Sequence, residues 1–208
     1  MPFQLTVEEG RFLVRIARRD VEEYLKNRQT IPVPKDVSPE LMKQCGVFVT
    51  LNTLHQGKKG LRGCIGFPYP TKPLIQAVIE SAINSATKDP RFHPVSLGEL
   101  DRILFEVSVL TPPQPVRVEK PAEYPSRIKV GQDGLIIERS HYKGLLLPQV
   151  PIEWSWEEEE FLCQCCMKAG LSPDSWLLKD TKIYRFSCVI AQEITPNGEI
   201  NLVDMRKC

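Results

Sequence analysis

The sequence has almost no surplus of charge. Its 27 Lys and Arg stand against 26 Asp and Glu, a net charge of +1. That balance offers no electrostatic footprint for nucleic acid or for an anionic membrane as the main partner. Histidine is scarce: only His55, His93 and His141 occur, none paired at metal-ligand spacing. No run approaches the ~18 apolar residues of a membrane span. No basic leader precedes an apolar stretch in MPFQLTVEEGRFLVRIARRD, so a cytoplasmic location is expected. Dinucleotide, Walker and HExxH patterns are absent, as are internal repeats. Neither a cofactor nor a metal is expected, and a regulator acting through RNA or DNA is the least favoured reading.

Proline and cysteine are plentiful. The 18 prolines gather at 32–39, 68–73, 112–125 and 148–151, so the chain turns often. The seven cysteines are odd in number and irregular in spacing, which reads as reduced thiols. Cys163-Gln164-Cys165-Cys166 contains a CxxC, but Cys165 and Cys166 fall on the apolar face of a predicted helix, which favours core packing over zinc.

Thr6 to Glu9 is a capping box opening a helix over 7–26. Strands are expected at 46–51 and 61–65, and Pro73 opens a helix ending near Lys88. Ser96 to Glu99 is a second capping box, and 103–110 alternates as a strand. Residues 127–130 and 135–138 flank Gly131-Gln132-Asp133-Gly134, a hairpin signal. Gly144–Leu147 reads as an apolar, strand-like run stopped by Pro148. Ser155 to Glu158 is a third capping box, for a helix through Lys168. Residues 183–193 form one long strand, and 194–208 a tail. Strands in neighbouring runs, without a βαβ rhythm, predict an α+β fold with mostly antiparallel sheet and flanking helices. The best boundary between two lobes is the irregular 112–125.

The segment Leu61-Arg62-Gly63-Cys64-Ile65-Gly66 is the strongest candidate site. Two glycines let another group approach, and an arginine beside a thiol lowers its pKa toward the reactive thiolate. The bland alternative is a buried cysteine beside a strand bulge. Asp89 follows a helix C-terminus, where its charge is unfavourable, so a partner such as Arg91 or Arg62 is expected. Gln149 offers an amide for recognition. Glu153, ahead of Trp154, reads as a carboxylate against an apolar wall, with its pKa raised, or else as a solvated residue.

LRGCIG, DPRF at 89–92, EVSVLTPP, IKVGQDGLIIE, GLLLPQV and the EFL…KAGL helix, in that order from Glu9 to Glu193, resemble the AMMECR-one domain family in a single-domain archaeal form. The resemblance implies a fold of two subdomains around a cleft, residence in the cytosol, and a pathway shared with Memo-type or radical-SAM proteins. It supplies no reaction. Carried over by position, it marks Leu61 to Gly66, then Asp89, Arg91 and Phe92, then Leu147, Pro148 and Val150. Gln149 matches prokaryotic relatives, while His93 stands where the family usually has proline, which weakens a Cys–His mechanism.

Two functional readings follow. The first is an enzyme in which Cys64 is a thiolate nucleophile or acid–base group, Glu153 assists, and Arg62 binds an anionic part of a small substrate. Gly63, Gly66, Asp89, Arg91, Phe92, Pro148 and Gln149 complete that cleft. The second is a non-catalytic binding module for a Memo-type or radical-SAM partner, or for a small ligand that such a partner makes.

Overall fold

A computed structural model describes residues 5–55 and 57–207. The element order begins with α1 (Val7–Asn27), β1 (Gly46–His55), β2 (Lys58–Phe67), α2 (Leu74–Thr87), β3 (Ile103–Leu110) and β4 (Gln114–Pro115). It continues with β5 (Gly134–Arg139), β6 (Tyr142–Leu146), α3 (Gln149–Glu153), α4 (Glu158–Lys168), β7 (Lys182–Phe186), β8 (Cys188–Glu193) and β9 (Ile200–Asp204). The fold is α+β, as expected. The chain divides into two compact units, one taking the described residues up to Leu110 with Val189–Val203, the other Thr111–Cys188 with the residues from Asp204.

The first unit is a five-stranded sheet in the order β2-β1-β3-β8-β9. β1 runs antiparallel to both β2 and β3. The long amphipathic α1 begins at its capping box, where Thr6 Oγ1 accepts from the Glu9 amide at 3.2 Å and Glu9 accepts from the Thr6 amide at 2.9 Å. α1 and α2 pack their apolar faces on the sheet, burying Leu13, Ala17, Val78 and Ala82 with Val47, Val49, Leu51 and Phe105. β3 is central and buried on both faces, not only on the mostly apolar one that its alternation predicts. A buried ion pair crosses this core. Arg18 donates through Nε to Glu193 Oε1 at 2.7 Å and through Nη2 to the Ile103 carbonyl at 2.6 Å, while Glu193 Oε2 accepts from the Phe105 amide at 2.9 Å. Backbone carbonyls and an amide thus share in satisfying the pair, as burial of charge demands.

The second unit is a four-stranded sheet in the order β4-β7-β5-β6, with α4 against β5 and β6. Its core holds Leu135, Ile137, Phe161, Leu162 and Ile183 together with Cys165 and Cys166. Cys165 and Cys166 are thus packed thiols, as their helical position predicts.

Several boundaries differ from the sequence reading. Residues 127–130 are not a strand. The Gly131–Gly134 stretch belongs to a tight turn in which the Lys129 carbonyl takes the amides of Gln132 and Asp133, and the Asp133 carboxylate takes the Lys129 amide. The hairpin forms one step later, between β5 and β6, around Ser140, whose φ of 56° suits a two-residue turn. Pro148 does not lead an extended exit but begins the short helix α3. Ser155 does not cap α4: its φ of 55° and its amide bond to Ile152 end α3 instead, leaving Glu157 at the α4 N-terminus. The expected strand 183–193 breaks at Ser187, so that β7 serves one sheet and β8 the other. The stretch 194–208, expected as a tail, supplies β9 at the edge of the five-stranded sheet.

Candidate functional site

β2 is an edge strand, and its pairing with β1 slips once. Leu51 faces Gly63 while Asn52 faces Leu61, which leaves Arg62 as the extra residue of a bulge. A bulge re-aims the side chain it carries. Arg62 is aimed at Glu99, with Nε 3.1 Å from Oε1 and Nη2 3.2 Å from Oε2, and its guanidinium lies 5.9 Å from the Phe92 ring centre. Glu99 also accepts from the Ser96 amide at 2.7 Å, closing the expected capping box. Burial raises the Glu99 pKa, but Arg62 and the Ser96 amide outweigh it and hold the carboxyl below its ordinary value. Arg62 is therefore committed to the protein.

The two glycines admit parts of the protein itself. A Cβ on Gly63 would lie 2.2 Å from the Ser85 carbonyl oxygen of α2, and one on Gly66 would lie 2.1 Å from the Val47 carbonyl oxygen of β1. These spaces are filled by backbone. Gly63 and Gly66, expected as substrate contacts, set how closely α2 and β1 approach β2. The Ser85 hydroxyl is inserted between facing groups of the two strands. It accepts from the Ile65 amide at 2.8 Å and donates to the Val49 carbonyl at 2.7 Å.

LRGCIG and DPRF meet at Cys64. The buried Asp89 carboxylate accepts from the Cys64 amide at 2.8 Å. Arg91 donates to the same carboxylate through Nε at 2.9 Å and Nη2 at 2.7 Å, and Nη2 lies 3.4 Å from the Cys64 carbonyl. The pair thus bonds both backbone groups of Cys64, as a neighbouring strand would. Arg91 drives the Asp89 pKa down to about 2, against the opposing effect of burial. The charge that looked misplaced after α2 has Arg91 as its partner, one of the two expected. The Arg91 side chain is 46% exposed, and its guanidinium lies 5.5 Å from the Phe92 ring centre.

The Cys64 thiol is half-buried and accepts from the Thr50 hydroxyl at 3.3 Å. Burial pushes its pKa above the ordinary value. The Thr50 bond and the Arg91 charge pull it down, while Glu106 and Asp89 push it further up, and the net direction is upward. The sequence reading gave Arg62 the task of lowering this pKa. Arg91 is the cation that acts on the thiol, because the bulge turns Arg62 toward Glu99.

Segments 61–66 and 89–92 lie together in the first unit, while 147–153 belongs to the second. Pro148 is buried and Gln149 half-buried at the start of α3. Glu153 is exposed at the end of α3, and Trp154 beyond it is 67% exposed. Both side chains therefore face solvent. His55, His93 and His141 are all exposed. Thr50, Ser85, Glu99 and Glu106 were missed as site residues. For Thr50 and Glu106 the signal was there, since polar residues in strongly apolar strands mark positions with a polar neighbour. Ser85 in the apolar α2 carried the same signal.

A two-unit α+β chain whose edge-strand LRGCIG is bonded to a following DPRF turn defines a distinct class. The AMMECR1 family model matches residues 14–191, and the chain belongs to that family. It is similar to the protein PH0010 of Pyrococcus horikoshii, 56% identical over 201 residues, covering 96% of this chain and 97% of that protein. A protein of Methanothermobacter thermautotrophicus is 56% identical over 190 residues, with coverage of 91% and 96%. The crystal structure of the uncharacterized protein PH0010 matches with a TM-score of 0.92 at 54% identity, covering 96% of this chain and 98% of that one. These relatives are archaeal, in keeping with the resemblance. Among the described residues, no helix is long and apolar enough to cross a membrane.

Proposed function

We propose that the chain acts as a binding module, with Arg91 as its recognising cation. The observation that carries this reading is the internal use of the groups a cysteine enzyme would need. Arg62 is taken by Glu99, Asp89 is taken by the Cys64 amide and Arg91, and the thiol is held toward its neutral form. A nucleophilic cysteine needs the opposite shift, together with a base to receive its proton. Arg91 differs from Arg62 in exposing nearly half of its side chain. The Asp89 fork holds it in place, so a carboxylate or phosphate arriving there meets a cation already oriented. A partner of the Memo-type or radical-SAM kind, presenting an acidic group to the Arg91–Phe92 face, suits this arrangement.

Co-purification with a Memo-type partner tests the reading. Arg91→Gln keeps an amide donor for Asp89 while removing the charge, and it is expected to abolish the complex while the chain stays folded, with the thermal melt lowered by about 4–8 °C. Cys64→Ser is expected to keep the complex. Site-resolved alkylation against pH provides the second arm. Cys64 is expected to label slowly, with an apparent pKa above the ordinary thiol value of about 8.5. Rapid labelling near neutral pH, with the complex insensitive to Arg91→Gln, would restore the enzyme reading.

A further inference from the structure

The geometry points to an anion-binding site in the second unit, apart from the LRGCIG and DPRF residues, for a small ligand carrying two phosphate or carboxylate groups. Two cavities of about 350 and 330 Å³ adjoin there and share Lys129 and Arg185 in their walls. Both volumes fall at the lower end of the ~300–1,000 Å³ usual for small-molecule sites. Arg117 and Arg127 line the second cavity, and Arg206 the first.

The cations converge from separate parts of the unit. Arg185 sits on β7, opposite Gln114 of β4 on one side and Leu135 of β5 on the other. It is anchored by donating from Nη1 to the Arg127 carbonyl at 3.1 Å. Lys129 begins the turn that closes at Asp133. Arg117 follows the short edge strand β4. Among the described residues, Asp133 is the only acid lining either cavity. It lies 3.9 Å from Arg185 and is already bonded to the Lys129 amide. Arg206 is paired with Asp204. Among the described residues, Arg117, Arg127 and Lys129 have no carboxylate within ion-pair distance.

Gathering more cations than acids is unfavourable unless an anion joins them. In a chain of net charge +1 the surplus is local to these two hollows. Such a short basic wall, in two adjoining compartments, fits a compact dianion better than the long backbone of a nucleic acid. Guanidinium forks at Arg185, Arg127 and Arg117 match the planar geometry of phosphate or carboxylate oxygens.

Titration of the whole chain with inorganic pyrophosphate at low salt, followed by calorimetry, tests the site. Saturable binding is expected, weakened about tenfold by Lys129→Gln combined with Arg117→Gln, since each removes one charge-assisted contact. Both side chains are exposed, so the thermal melt of that variant is expected to match the parent. Arg139→Gln, removing a cation already paired with Asp180, is expected to leave binding unchanged. No saturable binding up to about 10 mM, a free energy under ~3 kcal/mol, would overturn the proposal. So would binding indifferent to the Lys129 and Arg117 changes. A single-stranded RNA bound far more tightly than pyrophosphate through the same residues would overturn the small-ligand assignment. None of these outcomes depends on whether Arg91 recognises a partner.

Discussion

At the residue scale, the Cys64 thiol sits where burial favours its neutral form. The thiol lies beside Thr50 and Glu106 on neighbouring strands, and burial outweighs the Arg91 charge. The glycines answer to sterics. Gly63→Ala would drive a methyl into the Ser85 carbonyl, whereas a Cβ on Gly98 meets nothing within 4 Å. Gly63→Ala is therefore expected to lower stability by about 1–3 kcal/mol or more, and Gly98→Ala to leave it nearly unchanged, as read from urea midpoints. Asp89 gives a pH prediction. Its folded pKa of about 2 lies below its unfolded value, so its contribution is present above pH ~4 and is lost as pH falls through 2. The shift corresponds to about 2 kcal/mol, with part of it screened by salt because Arg91 is half-exposed. Asp89→Asn is expected to cost about that much at neutral pH and to flatten the acid limb of the stability curve. An unaltered acid limb would show that the carboxylate is not titrating with folding.

At the element scale, how much could be read in advance depended on whether a signal had one meaning or two. Thr6 and Ser96 had one, and both capping boxes formed. Ser155 had two, since a residue ahead of one helix can also end the helix before it. Pro148 and Pro151 had hidden that earlier helix, α3, by reading as breakers. The Gly131–Gly134 turn signal was real, but β5 found its partner in β6 because apolar residues line both strands of that pair. In the site, the Asp89–Arg91 pair was legible because a carboxylate at a helix C-terminus needs a partner, whereas the Asp89 bond to the Cys64 amide was not. The Arg62–Glu99 pair was not, because it depends on a one-residue slip between strands that no local pattern encodes. Ser85 is the element-level hinge of this arrangement. Its hydroxyl joins the Ile65 amide to the Val49 carbonyl, so α2 replaces part of the β1–β2 ladder. Ser85→Ala leaves both backbone groups short of a partner, and a loss of about 1–3 kcal/mol is expected. Faster amide exchange at Ile65 than at Gly60 or Leu61, relative to the parent, would locate the effect. Uniform change along β2 would assign it to general destabilisation instead.

At the scale of the whole molecule, the chain passes between units after Leu110, Cys188 and Val203. Neither unit is a continuous piece of sequence, yet each has its own core, and the two cores share no residue. Chain order therefore does not decide which residues unfold together, but packing does. Phe161 tests this, since it is fully buried in the second core while α1 and α2 close the first. Phe161→Ala is expected to cost about 3–5 kcal/mol in its own unit. If the cores are separate cooperative blocks, amide exchange should quicken across β5, β6, α4 and β7, while α1 and β1 keep the parent's protection. The decisive strands are β7 and β8, which are adjacent in sequence but belong to different sheets. Loss of protection that stops at Ser187 would mean that folding units follow the cores, and an equal loss in β8 would mean that the three crossings bind the molecule into one cooperative block.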